Sequence, residues 1–457
     1  MRRNSILLLT AAFAAGIAIT TAQTTSPKSQ TTAKKKTTTK TAAKKKATTK
    51  KRVLRPPPVS AKVRASASDA VSRWLDVPST LENARALIPF LELLYRSEKD
   101  PESPPLHILH YGDSHTAADD WSGTMRYLFQ NKFGDGGAGF SHAGRPWTSY
   151  RRQDVKSFSS LKWYTHGLAG RDGDGMYGLA GIGISATKAN EHVILDAECQ
   201  SAELFYLQQP GGGNFEVILD GGEAQKIETD GDAAPGYVKI PMEAGQHHFE
   251  VRTLDARPIR LFGWATDNKH GLTWETMGIN GAQASIQLKW DERLLADHIA
   301  RRNPALIVLA YGTNEAGNKD LTVAGYRDMF IKVLQQLRRD APTASLLVIG
   351  PPDRWIRGRA GWVAMDNVDI IVEAQRQASI AAGAAFFDLR DRMGGKGSMR
   401  QWVYAGMAQY DHVHFTGQGY RMLGAALYKE IAGQFATYVK VRDEPAGKPG
   451  ENSSAHE

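Results

Sequence analysis

The sequence predicts an α/β fold whose parallel sheet is interrupted by an inserted antiparallel β-sandwich. Continuous apolar runs such as 305–311, which are typical of buried parallel strands, alternate with amphipathic helical patterns. Between residues 146 and 265 this alternation stops, and short β-prone runs recur about every ten residues between Gly- and Asp-rich turns, as in antiparallel sandwiches. The alternation then resumes, so we expect residues 62–145 and 266–440 to form one domain and residues 146–265 to be an insertion.

Composition limits the functional classes. The chain has 457 residues, of which 42% are hydrophobic, so it can bury a large core. Its net charge is +9, but the first 55 residues carry fourteen Lys and Arg and no Asp or Glu, which leaves −5 for the rest (+9 less 14). The folded part is therefore not expected to bind nucleic acid specifically. The single cysteine, Cys199, excludes an intramolecular disulfide and argues against a cysteine-based zinc site.

The N-terminal region indicates export. Residues 1–22 combine two arginines, an apolar run too short to cross a bilayer and a small-residue end, which is the pattern of a cleaved signal peptide. Residues 23–61, rich in Lys, Thr and Ala, are predicted to be a disordered linker, and the polar tail at 441–457 is predicted to be disordered too. The linker is either a spacer or a contact with anionic envelope polymers, and its charge pattern does not decide between the two. We expect a secreted, periplasmic or envelope-associated protein with no transmembrane segment after cleavage.

The predicted elements follow in chain order. One or two helices between residues 68 and 96 lead into a strand at 106–111 and a helix at 121–133. The strands predicted in the insertion are 192–195, 202–206, 215–219, 237–240, 247–252 and 259–264. The helices and strands predicted after it are 286–302, 305–311, 323–339, 345–349, 368–382, 384–387 and 417–436. Pro351 and Pro352 end the strand before them and start a loop.

The first predicted strand runs into Gly112-Asp113-Ser114, which places a serine on a turn between a strand and a helix. There the hydroxyl projects from the carboxyl end of the sheet, and the backbone N–H lies near a helix start. A nucleophile for acyl transfer needs both features, because the hydroxyl attacks while a nearby N–H receives the oxyanion. Such a tripeptide is also typical of an ordinary Ser or Asx turn that caps a helix. The assignment of Ser114 therefore depends on stretches further along the chain.

Three later stretches contain the other groups that such a serine requires. Asn314 follows a buried strand and can donate an amide hydrogen bond to an oxyanion, or else satisfies its local turn. Gly281 precedes a helix, where a glycine lets a backbone N–H approach the same oxyanion or simply completes a turn. Asp411 precedes His414 by three residues, so the carboxylate can orient an imidazole that deprotonates a serine. His412 and His414 could also suggest a metal site, but they lack companions at metal-ligand spacing, so we do not expect one.

Together, the four stretches resemble the sequence blocks of the SGNH (GDSL-like) hydrolase family, in the same chain order. The resemblance implies a three-layer α/β/α sandwich and a serine esterase that needs no metal or organic cofactor. It assigns the catalytic triad to Ser114, Asp411 and His414. It assigns the oxyanion hole to Ser114, Gly281 and Asn314.

A narrower resemblance concerns the substrate. In this chain, histidine follows Ser114 and glutamate follows Asn314, where the commonest family forms have leucine and aspartate. His-Thr-Ala after Ser114, the run 133–140, the loop 393–399 and the β-rich insertion resemble bacterial peptidoglycan O-acetylesterases, whose insertion is similar to a carbohydrate-binding module. This resemblance implies a secreted esterase that removes O-acetyl groups from an envelope polysaccharide, and peptidoglycan is the first candidate substrate. Deacetylation of xylan or another polysaccharide, O-acetyl transfer with the same triad, and a non-catalytic envelope-binding role are the alternatives.

Candidate substrate-binding residues come from two regions. Trp163 and Tyr164 lie near the predicted domain junction and can stack on sugar rings, although such aromatics are also typical of a sandwich core. Arg354, Trp355 and Arg357 follow a predicted strand on the catalytic edge and can contact a carboxylate of the substrate, although loop arginines are commonly solvated. The expected partner of all of them is an O-acetylated polysaccharide.

Overall fold

The computed structural model describes residues 59–77, 81–359 and 361–444. The predicted signal peptide lies outside the described residues, as do most of the predicted linker and most of the C-terminal tail. The α-helices are α1 (Ala61–Leu75), α2 (Ile88–Lys99), α3 (Ser114–Ala117), α4 (Trp121–Phe133), α5 (Glu292–Arg302), α6 (Val323–Asp340), α7 (Asn367–Ala381), α8 (Leu389–Arg392), α9 (Met399–Ala405) and α10 (Gly417–Asp443). None of these helices combines the length and the hydropathy needed to cross a bilayer.

The strands belong to a parallel sheet, an antiparallel sheet and a small hairpin. They are β1 (Leu106–Gly112), β2 (Gly139–His142), β3 (Lys156–Ser159), β4 (Tyr164–His166), β5 (Gly183–Ala186), β6 (His192–Gln208), β7 (Asn214–Leu219), β8 (Gln225–Glu228), β9 (Ala234–Thr253), β10 (Ile259–Asp267), β11 (Leu272–Gly278), β12 (Leu306–Ala310), β13 (Ser345–Ile349), β14 (Trp355–Gly358), β15 (Gly361–Ala364) and β16 (Ala385–Phe387).

The parallel sheet has the strand order β11-β1-β12-β13-β16. Successive side chains of β12 enter different apolar clusters: Leu306 and Val308 pack with α1, α2, α4, α9 and α10, whereas Ile307 and Leu309 pack with α5, α6 and α7. This division follows from the alternation of side chains along a strand, and it shows that helices cover both faces of the sheet. The predicted three-layer α/β fold is therefore confirmed.

The antiparallel sheet is separate and has the order β4-β5-β10-β6-β9-β7-β8, with β2 also paired to β10 and β3 to β6. Two pairs of predicted short strands are each one long strand, namely β6 and β9. A register shift between Cys199 and Ser201 explains the difference, because a bulge lets one strand bend without ending. Strand β2 begins before residue 146, so the sheet starts earlier in the chain than the predicted insertion.

The two sheets share a packed junction. Phe140, Phe205 and Phe262 from the antiparallel sheet belong to the same apolar cluster as Leu109 of β1 and the buried side of α5. Buried ion pairs reinforce the contact, including that between Arg302 of α5 and Asp267 of β10. The described residues accordingly belong to one compact unit.

The carboxyl ends of three parallel strands lie side by side. Gly112 of β1 is in register with Gly278 of β11 on one side and Ala310 of β12 on the other. The segments that follow these strands contain Ser114, Gly281 and Asn314. The sheet order therefore brings three separate sequence stretches to one edge.

Candidate active site

Ser114 is the first residue of α3, two positions beyond the end of β1. The turn requires glycine at position 112, because a Cβ there would lie 2.8 Å from the carbonyl oxygen of Ala310 and even closer to the side chain of Thr116. Asp113 caps the helix, with its Oδ1 accepting a hydrogen bond from the His115 N–H at 2.9 Å. The strand-to-turn geometry therefore fixes the direction of the serine side chain.

Ser114, His414 and Asp411 form a continuous hydrogen-bonded chain. Ser114 Oγ lies 3.0 Å from His414 Nε2, and His414 Nδ1 lies 2.7 Å from Asp411 Oδ2. The other oxygen of Asp411 accepts the backbone N–H groups of Val413 and His414, each at 3.0 Å. The carboxylate is held by its own loop, so it can orient the imidazole toward the serine. The structure thus brings together all three residues of the predicted triad.

The electrostatics of the pair suit a general base. The hydrogen bond to Asp411 raises the pKa of His414 above its usual 6.5, and this effect outweighs the burial that lowers it. Burial raises the pKa of Asp411, but the hydrogen bonds from His414 and the loop N–H groups outweigh it and lower that pKa to about 2. Asp411 is therefore ionised at neutral pH, and it stabilises the imidazolium that forms when His414 accepts a proton.

Gly281 and Asn314 occupy adjoining loops at the same edge of the sheet. Asn314 Nδ2 donates a hydrogen bond to the carbonyl of Ala282 at 2.9 Å, which leaves the second N–H of the amide for another acceptor. Gly281 has a positive φ of 80°, a conformation that favours glycine. Gly281 is also exposed to solvent. The loop between β11 and α5 is therefore anchored to Asn314 beside the serine edge.

Glu315 adds a second tie between these loops. It is 1% exposed, and its Oε1 accepts the Ala284 N–H at 2.7 Å and the Tyr326 hydroxyl at 3.1 Å. Burial raises the pKa of Glu315 to about 7. The sequence showed glutamate where aspartate is commoner but assigned it no role. The structure shows that this side chain reaches the loop that contains Gly281.

Asn314→Ala should lower kcat for ester hydrolysis by about 10²–10³-fold with little change in KM, as expected for loss of one oxyanion donor. Steady-state kinetics on a small acetyl ester measure both constants. Asn318→Ala is the matched control, because Asn318 is exposed and hydrogen-bonds Gln283 on the same pair of loops. An effect on KM alone would instead make Asn314 a substrate-binding residue.

His115 lies against the catalytic histidine. It is 5% exposed, its ring centroid is 5.3 Å from that of His414, and its Nδ1 is 2.8 Å from the Tyr420 hydroxyl. Burial lowers the pKa of His115 to about 3, so this imidazole is neutral at neutral pH. Sequence analysis noted a histidine in place of leucine but assigned it no function. In the structure it forms part of the wall behind His414.

The predicted substrate-binding residues lie in two separate parts of the structure. Arg354 lies at the serine edge, where its Nη1 donates to the carbonyl of Thr313, and Trp355 Nε1 donates to Asp353 Oδ2 at 2.9 Å. Trp163 and Tyr164 lie instead on the antiparallel sheet. Trp163 packs against the apolar core of that sheet, and Tyr164 is 57% exposed.

His412 is occupied in packing. Its Nδ1 donates to the Tyr410 carbonyl at 2.9 Å, and its ring stacks on Trp362 with 4.1 Å between centroids. His414 points to Ser114 and Asp411. The two histidines therefore have different partners and do not converge as a ligand pair.

The second half of the chain matches a known family model. Residues 249–422 match the GDSL-like Lipase/Acylhydrolase family. This span includes Gly281, Asn314, Asp411 and His414. The chain contains a GDSL-like acylhydrolase domain. Ser114 precedes the matched span in the chain, but its Oγ lies 3.0 Å from Nε2 of His414, which is within the span. The enzyme class predicted from the sequence, an SGNH-type esterase, is therefore confirmed.

A solved structure shares the fold of this chain. A peptidoglycan O-acetylesterase superposes with a TM-score of 0.67 at 24% identity, covering 78% of this chain and 99% of that one. At this identity the similarity shows a shared fold. A family two carbohydrate esterase from Cellvibrio japonicus, at 11% identity over 63% of this chain and 99% of that chain, has a TM-score of only 0.27. No curated protein sequence matches the chain.

Proposed function

We propose that this protein is a secreted serine esterase of the cell envelope that removes O-acetyl groups from peptidoglycan. The observation that carries the proposal is the hydrogen-bonded chain from Ser114 through His414 to Asp411 at the carboxyl edge of the parallel sheet. The GDSL-like family match supports ester chemistry at that edge. The matched span, 249–422, contains both His414 and Asp411.

In the first half of the reaction, Ser114 Oγ attacks the acetyl carbonyl while His414 Nε2, 3.0 Å away, takes the hydroxyl proton. The carbonyl oxygen becomes an oxyanion, which accepts hydrogen bonds from the N–H groups of Ser114 and Gly281 and from the Asn314 amide. The bond between the acetyl carbon and the sugar oxygen then breaks, and His414 gives its proton to that oxygen. The products are acetyl-Ser114 and a free sugar hydroxyl.

In the second half, a water molecule gives a proton to His414 as it attacks the acetyl-enzyme. The bond to Ser114 Oγ breaks, Oγ regains its proton from His414, and acetate leaves. Throughout, Asp411 holds the Nδ1–H of the imidazole and stabilises the charged ring. Each step uses side chains of this chain and water.

Three features support an envelope polymer as the substrate. The fold is shared with a solved peptidoglycan O-acetylesterase over 99% of that chain. The first 55 residues combine a predicted signal peptide with a cationic linker, which suits a location beside anionic envelope polymers. The antiparallel sheet presents Tyr164 with 57% of its surface exposed, and together with Trp163 it is our candidate for a second glycan contact.

Acetate release from purified O-acetylated peptidoglycan, compared with acetylated xylan at matched ester concentration, tests the proposal. We expect acetate from peptidoglycan with a higher kcat/KM than from xylan, and none above background with Ser114→Ala. Adding a chito-oligosaccharide acceptor should leave the acetate yield unchanged, because water is the expected acyl acceptor.

Each alternative has its own outcome. Preference for xylan would make the protein a deacetylase of another polysaccharide. Acetyl groups appearing on the added acceptor in place of free acetate would make it a transferase. Binding to peptidoglycan without release of acetate from any ester would leave only a binding role.

A further inference from the structure

A short hairpin lies beside the triad. Strands β14 and β15 pair antiparallel between β13 and α7, and we call residues 355–359 and 361–364 the 355–364 hairpin. It is attached to the catalytic loop, because the Trp355 N–H donates to the carbonyl of His412 at 3.1 Å. Its base is closed by a hydrogen bond from the Met365 N–H to the Arg354 carbonyl at 2.9 Å. An isolated two-stranded hairpin is marginally stable, so its position depends on such contacts.

The hairpin covers the catalytic loop with an aromatic ring. Trp362 stacks on His412 with 4.1 Å between centroids and an interplanar angle of 28°. Tyr410 packs nearby, 5.9 Å from Trp362 and 5.5 Å from His412. His412 is 3% exposed and follows Asp411 directly, whereas Trp362 keeps part of its surface open to solvent. A partly open indole therefore covers the loop that carries Asp411 and His414.

The hairpin also carries exposed cations. Arg357 is the direct cross-strand partner of Trp362, so the two side chains project from one face. Arg357 and Arg359 are exposed, and neither forms an ion pair with another residue that the structure describes. Lys396 differs, because it pairs with both Asp366 and Asp369. Deeper in the site, Arg354 bonds the Thr313 carbonyl next to Asn314.

We propose that the 355–364 hairpin is a binding site for a carboxylate-bearing glycan, with Arg357 and Arg359 contacting the carboxylate and Trp362 contacting a sugar ring. A guanidinium offers two parallel donors to a carboxylate, and a sugar ring stacks its C–H face on an indole. The two kinds of contact adjoin here within one hairpin, which is hydrogen-bonded to the loop of Asp411 and His414. The proposal rests on the proposed function, because it requires a polymeric ester, and it adds that the hairpin selects acidic polymers.

Arg357→Glu tests the site by charge reversal, with Lys239→Glu as the matched control. Lys239 is exposed and lines a cleft with His107 at the opposite end of β1 from Ser114. The full-length proteins are compared on p-nitrophenyl acetate, acetylated xylan and O-acetylated peptidoglycan. We expect Arg357→Glu to lower kcat/KM on peptidoglycan by about tenfold or more, mainly by raising KM. The reason is that the substituted glutamate repels the carboxylate of the substrate that Arg357 attracts. The losses on xylan and on the small ester should be several times smaller, and Lys239→Glu should match the parent.

Salt and a second variant complete the test. Parent activity on peptidoglycan should fall as NaCl rises from about 50 to about 300 mM, and that of Arg357→Glu should fall less, because salt screens exposed charges. Trp362→Phe should retain more polymer activity than Trp362→Ala, since it keeps an aromatic face.

Three results would overturn the proposal. Equal losses on all three substrates would show that the hairpin only supports the triad. Unchanged kinetics on peptidoglycan would show that the polymer binds elsewhere. A parent protein that hydrolyses p-nitrophenyl acetate but releases no acetate from peptidoglycan would refute the proposed function itself, and with it this site.

Discussion

Ser114→Ala should lower kcat for acetyl-ester hydrolysis by about 10⁴–10⁶-fold, because removing the nucleophile disables a triad whose members act as a unit. The remaining rate should come from binding and the oxyanion donors alone. Hydrolysis of p-nitrophenyl acetate, followed by absorbance with a correction for spontaneous hydrolysis, measures the loss. The hydroxyl contributes to chemistry more than to packing, so Tm should move by no more than about 2–4 °C.

A covalent label distinguishes loss of the nucleophile from loss of the fold. A fluorophosphonate should modify the parent protein at the peptide that contains Ser114 and should fail to modify Ser114→Ala. His115→Ala is a useful companion, because it removes a neighbour of His414 and keeps the serine. Label found on another serine, or near-parent activity in Ser114→Ala, would contradict the proposed mechanism.

The candidate site was largely predictable from sequence, because some of its residues follow strands with a clear pattern and others lie close together in the chain. Ser114 and Asn314 come after apolar runs that are buried strands, and parallel strands place their carboxyl ends together. Asp411 and His414 are three residues apart, so their contact is local and needs no long-range assumption. The predicted helix at 121–133 coincides with α4.

Strand β11 was not predicted, because it has buried polar residues. Glu275 is fully buried, and Thr273 Oγ1 donates to it at 2.8 Å. Arg302 of α5, 27 residues further along the chain, neutralises Glu275. This attraction helps to lower the pKa of Glu275 to about 2, although burial opposes it. A pattern based on apolar alternation cannot anticipate an ion pair whose partner lies in another element.

The 355–364 hairpin was also not predicted, and a loop was expected there. Its strands have four residues each, and Ile356 and Val363 on one face are 45% and 50% exposed. Such a short element buries too little to leave a periodic signal. Its position depends on Trp362 and His412, which are fifty residues apart in the sequence (362 to 412) and meet only in the folded chain.

Asp411→Asn should lower kcat by about 10³–10⁴-fold, since an amide cannot stabilise the imidazolium and favours the wrong tautomer of His414. The pH profile provides a second, independent readout. His414 must be neutral to accept the serine proton, so kcat/KM should rise with pH through its pKa in the free enzyme. In the parent this midpoint should lie above 6.5, because the hydrogen bond to Asp411 favours the charged ring.

In Asp411→Asn that favourable interaction is lost while burial still disfavours the charged imidazole, so the acid-side midpoint should move to lower pH. The two changes have opposite effects below the parent midpoint: the limiting rate falls, whereas the fraction of neutral His414 rises. The ratio of parent to variant activity should therefore be smaller at acid pH than on the plateau. A lower plateau with an unmoved midpoint would mean that another group controls the acid limb, and that Asp411 acts only by holding the loop.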